Sequence, residues 1–380
     1  MKEHGGNLYK AKEKYSLKHQ KIHDFSANIN PLGLHIKIKN TIKKNLDYLI
    51  HYPDPDCKEL IDLAAEFYQI HREKIIPGNG SADTIYGVLR FLHPQKALIL
   101  APNFSEYEEA LCGINCGITR LAGKEQNNFR PAPEEIIKNL DGHNILIFSN
   151  PNNPAGYVYS RQELEYITEK AQKSDTIIFC DEAFMEFCPD YQDRNVLPLL
   201  EKYKNLVVSR TLTKLFAVPG LRIGFVFMEE KNAASLHNYL PPWRINTLAE
   251  QAAITAFTLK GYAEKSALLV DKNKIFFISG LEACGIKVFP SAANYILCRY
   301  EKTPELIDHC GQKGFLLRFC SDYHGLTREY FRAAVNCKKD IEKLLQIIKN
   351  FVSSKHTRYV CGCKFISWVN KTIKPAFSIQ

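Results

Sequence analysis

The chain has 380 residues, room for roughly two domains. Its 45% hydrophobic and 24% charged residues are the proportions expected of a globular protein in water, and no apolar run nears the ~18–20 residues needed to cross a bilayer. The net charge of +9 comes from 50 Lys+Arg against 41 Asp+Glu, scattered except at Lys37–Lys44 and after Lys338. That scatter argues against a nucleic-acid footprint and leaves solubility, or attraction of small phosphate-bearing molecules, as the reading. The opening Met1-Lys2-Glu3-His4-Gly5-Gly6-Asn7 has no apolar core of a secretory signal. The twelve cysteines are therefore expected to be mostly reduced thiols and the chain cytoplasmic.

In chain order, residues 1–35 read as irregular, with turn signals at His4-Gly5-Gly6-Asn7 and at Asn28-Ile29-Asn30-Pro31-Leu32-Gly33. A helix over 36–50 follows, then a break at Tyr52-Pro53-Asp54-Pro55. Apolar residues at helical spacing (Leu60, Leu63, Ala64, Phe67) make Lys58 to Tyr68 an amphipathic helix. Gly78-Asn79-Gly80-Ser81-Ala82-Asp83 then opens a helix over Thr84 to Phe91, a turn whose free N–H groups suit an anion. Short apolar runs at Lys96–Leu100, Gly117–Leu121, Asn144–Phe148, Thr176–Cys180, Leu206–Ser209 and Arg222–Phe227 alternate with helical segments such as Arg161–Lys173. This pattern predicts an α/β fold with a mostly parallel sheet covered on both faces. Residues 230–275 read as helical, with one long segment from Leu248 to Leu269. A second unit is expected to place strands near Ile286–Tyr300, Phe315–Cys320 and Tyr330–Asn336, closed by an amphipathic helix over Lys338–Val352.

The clusters that carry chemistry fall just after predicted strands, at the edge where parallel sheets collect ligands. They are Ser149–Gly156, Asp181-Glu182, and Ser209-Arg210-Thr211-Leu212-Thr213-Lys214 with Arg222 between Leu221 and Ile223-Gly224. A lysine whose amine is partly deprotonated can form a Schiff base with a cofactor aldehyde. Hydroxyls and a planar arginine fork beside it suit a phosphate dianion. Singly, Asp181 could be a helix cap and Asn153 a turn residue; three placements at one edge are harder to explain that way.

In this order, Gly78-Asn79-Gly80-Ser81, Asn150-Pro151-Asn152-Asn153-Pro154-Ala155-Gly156, Asp181-Glu182-Ala183-Phe184 and Thr211-Leu212-Thr213-Lys214…Arg222 resemble the fold-type I pyridoxal-phosphate enzymes. The branch is the one containing histidinol-phosphate aminotransferase and threonine-phosphate decarboxylase, and the likeness covers roughly residues 4 to 352. The resemblance implies a large cofactor-binding domain (46–270), a smaller α+β domain (271–353), an amino-terminal arm (1–45) and a separate tail (354–380). It implies that Lys214 holds pyridoxal 5'-phosphate and shuttles protons, that Asp181 pairs with the pyridine nitrogen, and that Asn153 donates to the ring oxygen. Phe104 would stack on the ring. Gly80, Ser81, the Ala82 amide, Thr211, Thr213 and Arg222 would take the phosphate. Tyr52 resembles the residue that reaches the phosphate from a neighbouring subunit, which implies a homodimer. Phe184 departs from the pattern, since many relatives carry a tyrosine there that also contacts the ring oxygen.

His4-Gly5-Gly6-Asn7, Asp24–Gly33 with Ile29 between two asparagines, and Asp-Glu-Ala-Phe at 181–184 resemble the threonine-phosphate decarboxylases of corrinoid synthesis. That likeness implies carbon dioxide release from phosphothreonine or phosphoserine, with histidinol-phosphate transamination as the alternative and a catalytically idle regulator as a rival of another class. His4, Asn30, Gly33, Asn153, Arg318 and Arg332 would bind substrate. A buried strand arginine requires an anionic partner; the alternative for Arg332 is a salt bridge within the protein. One arginine is assigned to carboxylate and the other, with His4, to phosphate, without a choice between them. In the tail, His356, Cys361 and Cys363, with Cys337, make a weak metal pattern; free thiols and no metal are expected.

Overall fold

A computed structural model of the chain describes residues 5–17 and 20–353. After a two-residue strand, β1 (His23–Asp24), come the strands of the main sheet: β2 (Ile75–Gly78), β3 (Lys96–Ala101), β4 (Gly117–Ala122), β5 (Ile145–Ser149), β6 (Ile177–Asp181), β7 (Leu206–Thr211) and β8 (Gly224–Phe227). Their order is β2-β8-β7-β6-β5-β3-β4, and only β8 is reversed, antiparallel to both β7 and β2. All residues of β5 and β7 are buried, because helices cover both faces and each strand must be apolar on both. Side chains alternate between the faces. Leu98, Leu100, Leu146, Phe148, Ile178 and Val208 join one core cluster; Ala97, Ile99, Ile145, Ile147, Phe179 and Val207 join the other.

Local chemistry sets the helix ends. Ser160 Oγ accepts from the Glu163 amide at 3.2 Å, and the Glu163 carboxylate accepts from the Ser160 amide at 2.9 Å. This reciprocal cap starts the Arg161–Lys173 helix and contributes about 1 kcal/mol. Two expected helices are each divided. The 36–50 segment is helical over Ile36–Lys44, then tightens to a 3-10 turn at Leu46–Ile50; Asn45 Nδ2 donates to the Thr41 carbonyl at 2.9 Å and ends the α-helix. The Leu248–Leu269 segment is two helices, Thr247–Phe257 and Tyr262–Glu282, separated at Gly261, whose φ of 68° lies in the left-handed region.

The second unit contains β9 (Lys287–Val288), β10 (Tyr295–Arg299), β11 (Phe315–Leu316), β12 (Arg318–Phe319) and β13 (Tyr330–Ala334). An antiparallel sheet runs β12-β13-β10-β9, and β1 pairs in parallel with β11, tying the amino-terminal arm to this unit. The closing helix spans 338–353. The 21-residue helix Tyr262–Glu282 runs unbroken through residue 270, so the two units share it. They also meet at Glu125, which accepts from Lys287 Nζ at 2.6 Å, Tyr330 Oη at 2.8 Å and the Arg299 guanidinium at 3.1 Å. No helix among the described residues is long and apolar enough to cross a membrane. The ten cysteines described are all free thiols; His4, His356, Cys361 and Cys363 lie outside the described residues.

Candidate active site

Because β5, β6 and β7 are adjacent and parallel, their carboxyl ends lie side by side. Ser149 stands opposite Asp181, and Asp181 opposite Ser209. The turn Asn150–Gly156, Asp181 and the short Leu212–Leu215 helix that carries Lys214 therefore share one edge. The reversed strand β8 then brings a distant segment in: Gly224 is paired with Thr211 on one side and with Gly78 on the other. That places the amino end of the Ser81–Leu92 helix beside Thr211 and Arg222.

Space at this junction is available only to glycine. A Cβ on Gly80 would lie 2.4 Å from Arg222 Nη2, and Gly80 has φ +83°; a Cβ on Gly224 would lie 2.9 Å from the Ser81 amide nitrogen. No side chain caps the Ser81–Leu92 helix at Gly80, so its first amides, Ser81 and Ala82 among them, remain available to an anion. Thr211 Oγ1 lies 2.9 Å from Thr213 Oγ1 and donates to the Ile223 carbonyl at 3.1 Å. The Arg222 guanidinium donates to the Pro219 carbonyl at 3.3 Å and has no carboxylate partner among the described residues. Amides, hydroxyls and an uncompensated guanidinium converge here, the donor set of a dianion cup.

Lys214 is half-buried. Burial, followed by the Arg332 and Arg222 guanidiniums, lowers its amine to about 8, while Asp181 and Asp24 oppose the shift. A substantial fraction of the amine is thereby neutral and nucleophilic near pH 8. Asp181 is 5% exposed. Burial pushes its carboxyl upward, and hydrogen bonds from Tyr107 Oη at 2.6 Å and the Ala183 amide at 3.2 Å oppose that shift. Tyr107 was not singled out from the sequence. It lies on the Ser105–Cys112 helix with no exposed surface, and nothing in its local pattern separates it from an ordinary core tyrosine. Phe104, half-buried, meets Tyr107 edge-to-face at 5.7 Å. Phe184 meets Tyr295 in the same way at 5.0 Å, and Tyr295 Oη donates to the Asn152 carbonyl at 2.6 Å.

The antiparallel sheet faces this edge with two arginines. Arg318 and Arg332 are paired residues on β12 and β13, so their side chains leave the same face. Each is 5% exposed, but their surroundings differ. Arg318 Nη2 bonds Asp322 Oδ2 at 2.8 Å, and its Nη1 donates to the Phe319 carbonyl. Arg332 has no carboxylate partner among the described residues; Nη2 donates to the Ser26 carbonyl at 2.8 Å, Nη1 to Asn153 Oδ1, and Nε has no acceptor. The internal salt bridge weighed for Arg332 thus occurs at Arg318. With Asn153 Oδ1 taken by Arg332, the Asn153 amide is left with its NH2 group as donor; its backbone nitrogen donates to Ser149 Oγ at 2.9 Å.

The remaining expected contacts are distributed unevenly. Asn30 is buried and committed to the protein: Nδ2 donates to the Leu215 carbonyl at 2.6 Å and to Ser266 Oγ at 2.8 Å, and Oδ1 accepts from the Leu32 amide at 3.0 Å. Its backbone amide also donates to the Lys214 carbonyl at 3.1 Å, so Asn30 braces the lysine helix. Gly33 adopts φ +72° in open space, and its carbonyl accepts from Tyr262 Oη at 3.2 Å. The Gly5-Gly6 turn has a structural role. A Cβ on Gly5 would lie 2.0 Å from the Ser26 carbonyl oxygen, and the Gly6 amide donates to Ser26 Oγ at 2.8 Å. The arm thereby lies flat on the residue that holds Arg332. Tyr52 is 82% exposed, its ring 5.0 Å from Trp243, and makes no hydrogen bond to this cluster.

The chain matches the family model Aminotransferase class I and II over residues 20–350. It is 31% identical over 356 residues to threonine-phosphate decarboxylase of Salmonella typhimurium, covering 92% of this chain and 96% of that one. It is 30% identical over 362 residues to the adenosylcobalamin biosynthesis bifunctional protein CobDQ of Leptospira interrogans, covering 92% of this chain and 41% of the other. Among solved structures, the histidinol-phosphate aminotransferase of Clostridium acetobutylicum superposes with a TM-score of 0.81 at 30% identity, over 87% of this chain and 99% of that one. With the family model spanning most of the chain and the sheet edge built as described, the protein belongs to the class I and II aminotransferase family.

Proposed function

We propose that the protein is a pyridoxal-phosphate-dependent decarboxylase that releases carbon dioxide from an O-phospho amino acid, phosphothreonine or phosphoserine, to give an amino-alcohol phosphate for corrinoid synthesis. The residues fit the cofactor. The cradle that a Cβ at Gly80 would fill, with Ser81, Ala82, Thr211, Thr213 and Arg222, suits its phosphate. Asp181 suits a protonated ring nitrogen, the free NH2 of Asn153 a ring oxygen, Phe104 the ring face, and Lys214 the aldehyde. When bound, pyridoxal phosphate supplies a ring that draws electrons from a bond at the substrate α-carbon.

The observation that carries the reading is Arg332, buried near Lys214 with no carboxylate partner among the described residues and paired across the sheet with Arg318. A buried guanidinium without a carboxylate partner calls for an anionic ligand. An O-phospho amino acid has a carboxylate that loses its charge as carbon dioxide leaves and a phosphate that keeps its charge throughout. Tight guanidinium contacts to the carboxylate would favour the ground state over the transition state, whereas contacts to phosphate hold both alike. Arg332 is therefore assigned to the phosphate, with His4 expected nearby from the arm. Held at its phosphate and at Asn153, the substrate would keep its carboxylate clear of a guanidinium, and Lys214 would be the group that returns a proton to the α-carbon.

A homodimer is part of the proposal. Ile50 is 84% and Tyr52 82% exposed, beside exposed Leu46, Leu49 and Trp243, an apolar surface that a second copy would cover, with Tyr52 reaching the partner's phosphate cup. The cytoplasm is the proposed compartment. The test is incubation with phosphothreonine, phosphoserine, or histidinol phosphate plus 2-oxoglutarate. Carbon dioxide from a phospho amino acid is expected. Glutamate from the third mixture with no carbon dioxide from the first two would replace this reading with histidinol-phosphate transamination.

A further inference from the structure

Arg318 poses a question that the proposed chemistry leaves open. Its guanidinium is buried, as a ligand-binding arginine's can be, yet it already has an anion: Asp322 Oδ2 at 2.8 Å, with side-chain exposures of 5% for Arg318 and 26% for Asp322. The planar group also lies 5.1 Å from the centre of the Tyr323 ring. Directly across the sheet stands Arg332, and like charges opposite one another on one face repel. Asp322 removes that repulsion when no other anion is present.

Asp322 also has room to leave. It is placed on the loop after β12, on the wall of a cavity of about 370 Å³ that Ser321, His324, Asn103 and Ser105 also line. In the middle of the loop, which spans 320–329, Gly325 has φ +84° with no neighbour within 4 Å of a built Cβ. On the opposite side, Arg318 lines a second cavity of about 630 Å³ with Ser26 and Gly5. The same Ser26 accepts from Arg332 through its carbonyl. One guanidinium thus stands between an internal carboxylate and the side from which Arg332 is held.

We propose that Asp322 is an internal, displaceable anion. It occupies Arg318 while the site holds no ligand, yields it to the ligand's phosphate dianion, and returns to release the phosphorylated product. This inference rests on the phospho-amino-acid reading above. Decarboxylation removes the carboxylate and leaves the phosphate, so guanidinium contacts to phosphate hold the product as firmly as the substrate. A competing carboxylate within the protein weakens the binding of every phosphate-bearing ligand by one common factor and leaves unphosphorylated amino acids unaffected. Asp322 is a positioning residue in this scheme and touches no reacting atom.

The experiment is determination of the KM for phosphothreonine, with calorimetric titration of the cofactor-loaded protein by O-phosphoethanolamine and L-alanine, in the wild type, Asp322→Asn and Asp322→Ser. Both phosphorylated ligands are expected to bind on the order of tenfold more tightly to the variants, within the usual range of coupling between sites, and alanine unchanged. In an Arg318→Gln background the effect of Asp322→Asn should vanish. Weaker or unchanged binding of the phosphorylated ligands to the variants overturns the inference, because a carboxylate that merely orients Arg318 gives that sign. If both variants fold only when inorganic phosphate is supplied, the anion is replacing Asp322 and the inference stands. If they fold under neither condition, Asp322 is a fixed structural partner and the inference falls. Absence of phosphothreonine turnover by the wild type would instead remove the phospho-amino-acid reading itself.

Discussion

The carboxyl edge of the seven-stranded sheet and the arginine face of the four-stranded sheet converge on Lys214 with opposite internal economies of charge. At the sheet edge several polar groups are held within their own motifs, Thr211 to Thr213 at 2.9 Å and Asn153 to Ser149 at 2.9 Å, and the reversed strand presses Gly80 on Arg222. On the arginine face Arg318 is held locally by Asp322, but the partners of Arg332 come from far along the chain. Arg332 is held by Ser26 and Asn153, residues 306 and 179 positions away. The first region is a prebuilt receptor for one permanent group, and the second is an adjustable one for ligands that come and go. An unmatched buried arginine is costly to the free protein, and that cost is recovered when an anion arrives.

Substitutions on the two sides should therefore fail differently. The largest effect is expected for Lys214→Ala, with carbon dioxide release from phosphothreonine falling roughly 10³–10⁴-fold and the visible cofactor absorbance lost while the circular dichroism of the fold is kept. Arg332→Gln comes next. Loss of a buried charge contact should lower kcat/KM about 10²-fold, carried mainly by KM, because a contact to the phosphate is made equally in ground and transition states; an unchanged KM with a collapsed kcat would contradict the phosphate assignment. On the cofactor side, Gly80→Ala combines a strained φ with displacement of Arg222. It should weaken cofactor binding in equilibrium dialysis by about tenfold, corresponding to strain of about 1–3 kcal/mol, while the KM of the loaded fraction is retained.

The two sides are linked through the pH response of Lys214. Its amine stands at about 8 in the folded chain against 10.5 ordinarily. Between those values the unfolded chain binds more protons at this group, so the group's contribution to stability rises with pH across that window and is least favourable below it. Capture of pyridoxal phosphate by the cofactor-free protein, followed by absorbance, should accelerate with pH through a midpoint near 8. In Arg332→Gln the midpoint should move upward, since a neighbouring positive charge has been removed. The smallest effect is expected for Tyr107→Phe. Asp181 keeps its bond from the Ala183 amide, so losing one hydrogen bond is worth about 1 kcal/mol net and should weaken cofactor binding several-fold with little change in substrate KM.

Much of the sheet edge could be read directly from the residues. The apolar runs that became β3 and β5 to β8 are continuous because both faces are covered, whereas the edge strand β4 has no buried residue; a parallel strand followed at once by polar residues places them at the ligand edge. Helix limits were less accessible. Asn45 and Gly261 end or open helices through one hydrogen bond and one left-handed φ, which apolar periodicity does not register. Asn30 looked like a ligand group in its Asn-Pro turn, yet it is saturated by Leu215 and Ser266. Gly5 and Gly6 read as a turn, and what that turn does, letting the arm lie on Ser26, is set by the fold.

Sequence by itself determined the α/β class, the order of the motifs and the chemistry available at the sheet edge, because strand period, turn residues and the spacing of Lys214 to Arg222 are local properties of the chain. Only the tertiary structure decided which groups are already satisfied. Tyr107 on Asp181, Ser26 on Arg332, Asp322 on Arg318 and Asn30 on Leu215 are pairings between separate elements. Whether a buried polar group is spent or available depends on what packs against it, and that is set by the fold as a whole.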